Sequence, residues 1–165
     1  MDTVRKEVYW KDPSERIVRA MLVSPYEDDH QFMRRFFGRT NWILHTARSC
    51  RQAEMLLDSE PVSVIVTERE LPGENWRSVL RLAAESRFRP LVVATHTFSE
   101  ADILDELLAE GVYDVVAKPF VESEVSQVIS FAWLRWKSKR RIESRVPVIG
   151  QEAAPAMAGA GYSGL

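Results

Sequence analysis

Cysteine, net charge and long apolar segments are all scarce in this chain of 165 residues, and each shortage excludes something. Cys50 is the single cysteine, which rules out an internal disulfide and favours a reducing compartment. The formal net charge of −2 gives no overall field that would attract nucleic acid or an anionic membrane. No apolar run reaches the roughly 18 residues that a membrane span needs. Residues 1–16 are rich in charge and lack the apolar segment of a signal peptide, which predicts a soluble, cytoplasmic protein.

Strand-like and helix-like segments alternate through the body of the chain. Short apolar runs predict five strands, over residues 17–23, 42–46, 62–67, 91–94 and 112–117. Apolar residues at helical spacing predict a helix after each strand, the last running from near Val121 toward Arg141. Because β-α pairs with short connections form right-handed crossovers, the strands should be parallel. The predicted fold class is α/β: a flavodoxin-like (βα)5 doubly wound parallel sheet with strand order 2-1-3-4-5.

The predicted domain covers residues 16–143 and includes the extended last helix. Residues 1–15 are expected to form an N-terminal arm outside the core. Residues 144–165 are rich in Ala, Gly and Pro without periodicity, so we expect a disordered tail. Such a tail is too short for a DNA-binding or catalytic output domain, and output is therefore expected from the surface of the domain itself.

Polar residues stand at the carboxyl ends of three predicted strands. The third strand, Ile65-Val66-Thr67, leads into Glu68 and then Leu71-Pro72-Gly73; the fifth leads into Lys118-Pro119-Phe120. Pro90-Leu91-Val92-Val93-Ala94 leads into Thr95. Since parallel strands end at one edge of the sheet, these side chains should share a crevice. In this order and spacing, the elements resemble the receiver domain of bacterial response regulators over residues from about 17 to 135.

The resemblance assigns a role to each of these residues. Receivers accept a phosphoryl group on an aspartate, with Mg²⁺ held by acidic residues that follow the first strand. Glu68 is equivalent to this phosphoacceptor, and Lys118 and Thr95 are equivalent to the lysine and switch hydroxyl that contact the phosphoryl group. Val115 stands where many receivers have a Tyr or Phe that changes rotamer, so coupling from Thr95 should be weaker or different. No catalytic residue is implied, and the protein is expected not to be an enzyme.

Glu68 is the main departure from the family pattern. Its carboxylate sits one methylene further from the backbone than that of Asp, so in-line transfer geometry would be missed by about an ångström or more. Two readings stay open. Glu68 and Lys118 form an ion pair that imitates the phosphorylated state, or Glu68 simply neutralises Lys118 without any switching.

The expected metal ligands also depart from the pattern. Ser24 and Pro25 occupy the positions of the family's acidic pair, and Asp28 and Asp29 follow several residues later. These two acids could fold toward Glu68 as an acidic pocket, but capping of the first helix is the favoured prediction. One displaced acid, with Asp28 as the candidate, plus Glu68 would bind Mg²⁺ weakly. We therefore predict no tight metal site and no cofactor.

The last helix predicts an interaction surface. One stripe, formed by Val125, Val128, Ile129, Ala132 and Trp136, should pack on the sheet. Phe131, Trp133 and Leu134 lie off this stripe and should be exposed, which is typical of an interface. In receivers, the face formed by helix 4, strand 5 and helix 5 makes homodimers, so we expect a homodimer through it. The basic cluster over residues 137–141 is interpreted as a solvated helix end, and a nucleic-acid partner is not expected.

The predicted function is that of an atypical, stand-alone receiver: a protein-interaction module of two-component-type signalling, not switched by ordinary Asp phosphorylation. Its partner would be a sensor kinase or a downstream effector. Two alternatives remain. One is a conventional phosphorelay receiver with an unusual acceptor. The other is a flavodoxin-like protein that binds a small ligand, which the glycine-free, acidic loop after the first strand disfavours.

Overall fold

Five parallel strands form the central sheet of the computed structural model, which describes residues 15–97 and 103–145. The first half of the chain forms β1 (Arg19–Val23), α1 (Glu27–Phe37), β2 (Ile43–Ala47), α2 (Cys50–Ser59), β3 (Val64–Thr67), β4 (Glu70–Leu71) and β5 (Glu74–Asn75). The second half forms α3 (Trp76–Glu85), β6 (Leu91–Thr97), α4 (Ile103–Ala109), β7 (Asp114–Lys118) and α5 (Glu122–Arg145). The sheet order is β2-β1-β3-β6-β7, which confirms the predicted flavodoxin-like fold and its strand order.

Helices cover both faces of this sheet. Side chains alternate along β3, so Val64 and Val66 pack on one face while Ile65 packs on the other. The first face is covered by α1 and α5, and the second by α2 and α3, with α4 closing a third cluster around Trp76 and Leu107. Burial on both faces explains why β3 is apolar along nearly its whole length.

The segment after β3 contains a hairpin that the sequence did not predict. Around Pro72-Gly73 the chain forms an antiparallel two-stranded hairpin, β4–β5, in which Glu70 pairs with Asn75. Gly73 has φ +70°, a conformation that favours glycine. The fourth sheet strand is also longer than predicted, because β6 continues to pair with β7 after β3 has ended at Thr67. Thr95 consequently lies inside a strand rather than directly after one.

The last helix is longer than predicted, because α5 ends at Arg145 rather than near Arg141. Residues 144 and 145, expected to belong to the tail, are its final turn. The rest of the predicted tail, and the predicted arm up to residue 14, lie outside the described residues. Over the described ranges, no helix is both long and apolar enough to cross a membrane.

Candidate functional site

Glu68, Thr95 and Lys118 meet at the carboxyl edge of the sheet, as the strand ends predict. Glu68 follows β3 directly, Thr95 lies in β6 and Lys118 is the last residue of β7. Lys118 Nζ lies 2.9 Å from Glu68 Oε2, and the Thr95 hydroxyl donates to the same oxygen at 2.8 Å. One carboxylate oxygen of Glu68 thus receives two donors, a charged one and a neutral one.

Asp29 completes an ion triad around Lys118. Its Oδ2 lies 2.9 Å from Lys118 Nζ, and the carboxylate is almost fully buried, with 4% of the residue exposed. The prediction that Asp29 caps α1 is wrong, since the N-cap position is Tyr26 and no side chain caps this end. The physical reason is helical periodicity: Asp29 shares the inward row with Met33 and Phe36, four and seven residues later.

Asp28, the residue before Asp29 in α1, is exposed and contributes no cap either. It lines a cavity of about 470 Å³ beside Asp29, together with the aromatic side chains of Tyr26, Phe32 and Phe120. Of the two acids considered for the pocket, the structure therefore brings only Asp29 into contact with Lys118.

Ser24 fixes the position of Asp29, a role that the sequence did not suggest. The Ser24 hydroxyl donates to Asp29 Oδ2 at 2.6 Å and accepts from the Tyr26 backbone N–H at 3.1 Å. His30 is buried as well, and its Nε2 donates to the Ser24 carbonyl at 2.7 Å. The available signal was the position of Asp29 and His30 on the apolar face of α1, where an acid and an imidazole need polar partners.

The electrostatics of the triad favour charged Lys118. Partial burial acts against the ammonium, but hydrogen bonds and opposite charge from Glu68 and Asp29 outweigh it and raise the pKa of Lys118 above its usual value. The ammonium also lies 4.9 Å from the Tyr26 ring centroid and 5.8 Å from that of Phe120, within cation–π range. Lys118 is thus held by two carboxylates and two rings.

The same geometry bears on metal binding. Both carboxylates, Asp29 and Glu68, direct an oxygen to the ammonium of Lys118. Within residues 15–97 and 103–145, no three His, Cys, Asp or Glu side chains are grouped so that they could hold a metal ion. The site is therefore an arrangement of two acids around an internal cation.

The three residues predicted to form an interaction surface on α5 differ in how exposed they are. Phe131 and Leu134 are 53% and 47% exposed on α5. Trp133, predicted to be exposed, is half-buried: it packs against the core, and Lys137 Nζ lies 3.7 Å from its ring centroid. Val115 is half-buried on β7 and, with Phe131, lines a cavity of about 300 Å³. We call the surface formed by α4, β7 and α5, which includes Val115, Phe131 and Leu134, the α4–β7–α5 face.

No family model matches the sequence, and no curated protein matches it either.

Solved structures do match. The receiver domain of an HD domain-containing protein from Pseudomonas fluorescens Pf-5 is 22% identical, with a TM-score of 0.68 over 76% of this chain and 93% of that chain. A response regulator receiver domain from Clostridium thermocellum is 16% identical, with a TM-score of 0.66 over 74% and 99%. A chemotaxis response regulator of Vibrio cholerae is 15% identical, with a TM-score of 0.63 over 70% and 98%. The chain therefore has the fold of response regulator receiver domains, as the resemblance implied.

Proposed function

We propose that this protein is a receiver-like module of two-component-type signal transduction that acts by binding another protein and is not switched by phosphorylation of an aspartate. It is not an enzyme in this proposal. Its partner is a sensor kinase or a downstream effector. The observation that supports the proposal best is the pair of bonds that Thr95 and Lys118 make to one oxygen of Glu68.

The receiver resemblance assigns these two donors to the phosphoryl group, the lysine to one of its oxygens and the hydroxyl to another, whereas here both bond the same carboxylate oxygen. Glu68 reaches further from β3 than Asp would, and its oxygen already occupies a position that satisfies both donors. A carboxylate in this place holds Thr95 inward without any transferred group. We infer that Glu68 imitates the phosphorylated state and fixes one conformation of the α4–β7–α5 face.

Phosphotransfer is disfavoured by the surroundings of Glu68. A nucleophilic carboxylate must lie in line with the donor, in a geometry that receivers build for the shorter Asp, and transfer in receivers needs Mg²⁺ to offset charge. Here Lys118 Nζ lies 2.9 Å from both carboxylates, where it supplies the compensating positive charge itself. Mg²⁺ would have to displace this ammonium and find further oxygen ligands. We infer that the protein uses no resident metal or other cofactor.

The direct test is treatment of the purified protein with acetyl phosphate and Mg²⁺, followed by intact mass and sedimentation measurements. A conventional receiver domain treated in parallel shows that the donor is active. We expect no phosphoryl adduct on this protein and no change in its sedimentation. An adduct accompanied by a change of oligomeric state would instead establish a phosphorelay receiver with an unusual acceptor.

A pair of variants tests the mimic itself. Glu68→Ala removes the oxygen that holds Thr95 and Lys118, and we expect it to change partner affinity or oligomeric state. Glu70→Ala, two residues later and exposed on β4, is the matched control and should change neither. Unchanged partner affinity and sedimentation in Glu68→Ala would leave Glu68 as a simple neutralising partner of Lys118.

A further inference from the structure

A second concave site lies at the amino-terminal edge of the sheet, opposite the Lys118 triad. The loop between α3 and β6 and the last turns of α5 enclose a cavity of about 380 Å³. We call it the basic cavity, after the residues that line it: Arg87, Phe88, Arg89, Trp136, Lys139, Arg140, Glu143 and Ser144. Its volume is within the range of small-molecule sites in proteins.

The charges around the basic cavity are predominantly positive. Four of its lining residues are Arg or Lys, and Glu143 is its one acid. Arg140 forms part of the wall, since its guanidinium lies 4.8 Å from the Trp136 ring centroid and its Nε 3.9 Å from Glu15. Arg87, Arg89 and Lys139 are exposed. In a concave site, like charges reinforce one another and attract an anion.

The loop that carries two of these cations is held rigidly. Trp136 Nε1 donates to the Phe88 carbonyl at 2.7 Å, and Arg140 lies 5.5 Å from the Phe88 ring centroid. Arg89 has φ +44°, the only positive φ of a non-glycine residue among those described. Such a backbone is strained for a residue with a side chain, and strained residues cluster at binding sites. An arginine where glycine would be unstrained supports a functional role for its side chain.

We propose that the basic cavity binds a phosphate-bearing small molecule, with Arg87, Arg89 and Lys139 contacting its phosphate oxygens. A phosphate group accepts several charge-assisted hydrogen bonds, which arginine donates in pairs and lysine as a point charge. A small ligand fits better than a nucleic acid, because the cations line one concave site rather than a long surface stripe and the chain as a whole has a net charge of −2. The site is independent of the Lys118 triad and of its proposed role.

Isothermal titration calorimetry on the full chain at low salt, with inorganic phosphate, ADP and adenosine as probes, tests this proposal. We expect saturable binding of ADP, or of inorganic phosphate if the group itself is the ligand, and none of adenosine. The double variant Arg89→Gln/Lys139→Gln should weaken binding at least tenfold. The control Arg51→Gln/Arg81→Gln removes the same charge from exposed positions on α2 and α3 and should bind as the wild type does. Binding should also weaken as salt is added.

The indole N–H of Trp136 reports on location, because it is bonded to the loop that carries Arg87 and Arg89. Its resonance, identified with Trp136→Phe, should shift with the same saturation curve as the heat. Failure of both phosphate and ADP to bind would overturn the proposal. So would equal binding by the double variant and the control, or binding of a short DNA duplex with no binding of ADP.

Discussion

Lys118 supplies the positive charge that compensates both acids of the candidate site. Its ammonium is the shared partner of two carboxylates, one of them almost fully buried. Lys118 itself is 21% exposed, so its own desolvation is incomplete. Burying Asp29 without a cation would be far more costly than burying the pair, because an isolated carboxylate in an apolar setting loses its hydration. Removing the charge of Lys118 should therefore destabilise the fold as well as disrupt the candidate site.

Lys118→Met tests this dependence at a single residue. Methionine keeps the length of the apolar stem but leaves Asp29 and Glu68 facing each other without compensation. We expect a loss of about 2–3 kcal/mol in the free energy of unfolding, somewhat less than for a fully buried pair. Urea denaturation measures it, and Arg51→Met, at an exposed position, should cost little. A loss no larger than in the control would mean that water already compensates both acids.

The pKa of Lys118 gives the pH dependence of this contribution. The folded protein holds the proton more tightly than the unfolded chain, because the pKa of Lys118 is raised above the usual lysine value of 10.5. The stabilisation is therefore fully present below pH 10.5 and is lost as pH rises through the folded pKa. We expect the stability difference between wild type and Lys118→Met to be constant from about pH 8 to 10 and to shrink above that range. A difference that grows at high pH would contradict the triad.

Among the elements, α4 is linked to α3 through one side chain, Arg77. Arg77 on α3 donates to both oxygens of Glu110, at 2.7 and 2.9 Å, and also bonds Glu106 on α4. Its guanidinium lies 4.4 Å from the Trp76 ring centroid. This bidentate arrangement fixes Arg77 and ties α4, described over the 7 residues Ile103–Ala109, to α3.

Arg77→Gln should loosen α4 without unfolding the protein. The three groups are largely exposed, so the pairs add little to global stability. The local stability of α4 should fall more, because short helices with few buried contacts open before the rest of a domain. We expect faster amide hydrogen exchange over residues 104–110, with the thermal midpoint nearly unchanged. Arg51→Gln is the control, and unchanged exchange in α4 would show that Leu107 alone holds the helix.

The elements also show what the sequence could and could not predict. Strand and helix order followed from apolar periodicity, and the meeting of Glu68, Thr95 and Lys118 followed from parallel strand ends. The length of β6 could not be predicted in this way, because it depends on continued pairing with β7 after β3 has ended. The two-residue strands of the β4–β5 hairpin are too short to show the alternation of apolar and polar residues that predicts a strand. Asp29 was predicted to cap α1 because it follows the loop after β1. It lies instead on the inward face of α1, where its carboxylate contacts Lys118.

For the molecule as a whole, the distribution of apolar surface predicts how it associates. The two faces of the sheet are covered by helices, and the carboxyl edge carries the polar Lys118 triad. Phe131 and Leu134, three residues apart on α5, remain about half exposed and are neighbours on the helix surface. Beside them, the cavity lined by Val115 and Phe131 offers a depression that an aromatic side chain could fill. A two-fold symmetric contact would bury both features at once.

Phe131→Glu tests whether the α4–β7–α5 face forms the proposed homodimer. We expect the wild type to sediment as a dimer and Phe131→Glu as a monomer with an unchanged circular dichroism spectrum, because a buried unpaired carboxylate opposes association. Met55→Glu is the matched control: Met55 is 65% exposed on α2, away from this face, and its replacement should leave the dimer intact. A wild type that remains monomeric at high concentration would assign the exposed α5 surface to a different protein partner. Dissociation by Met55→Glu would place the interface on α2 instead.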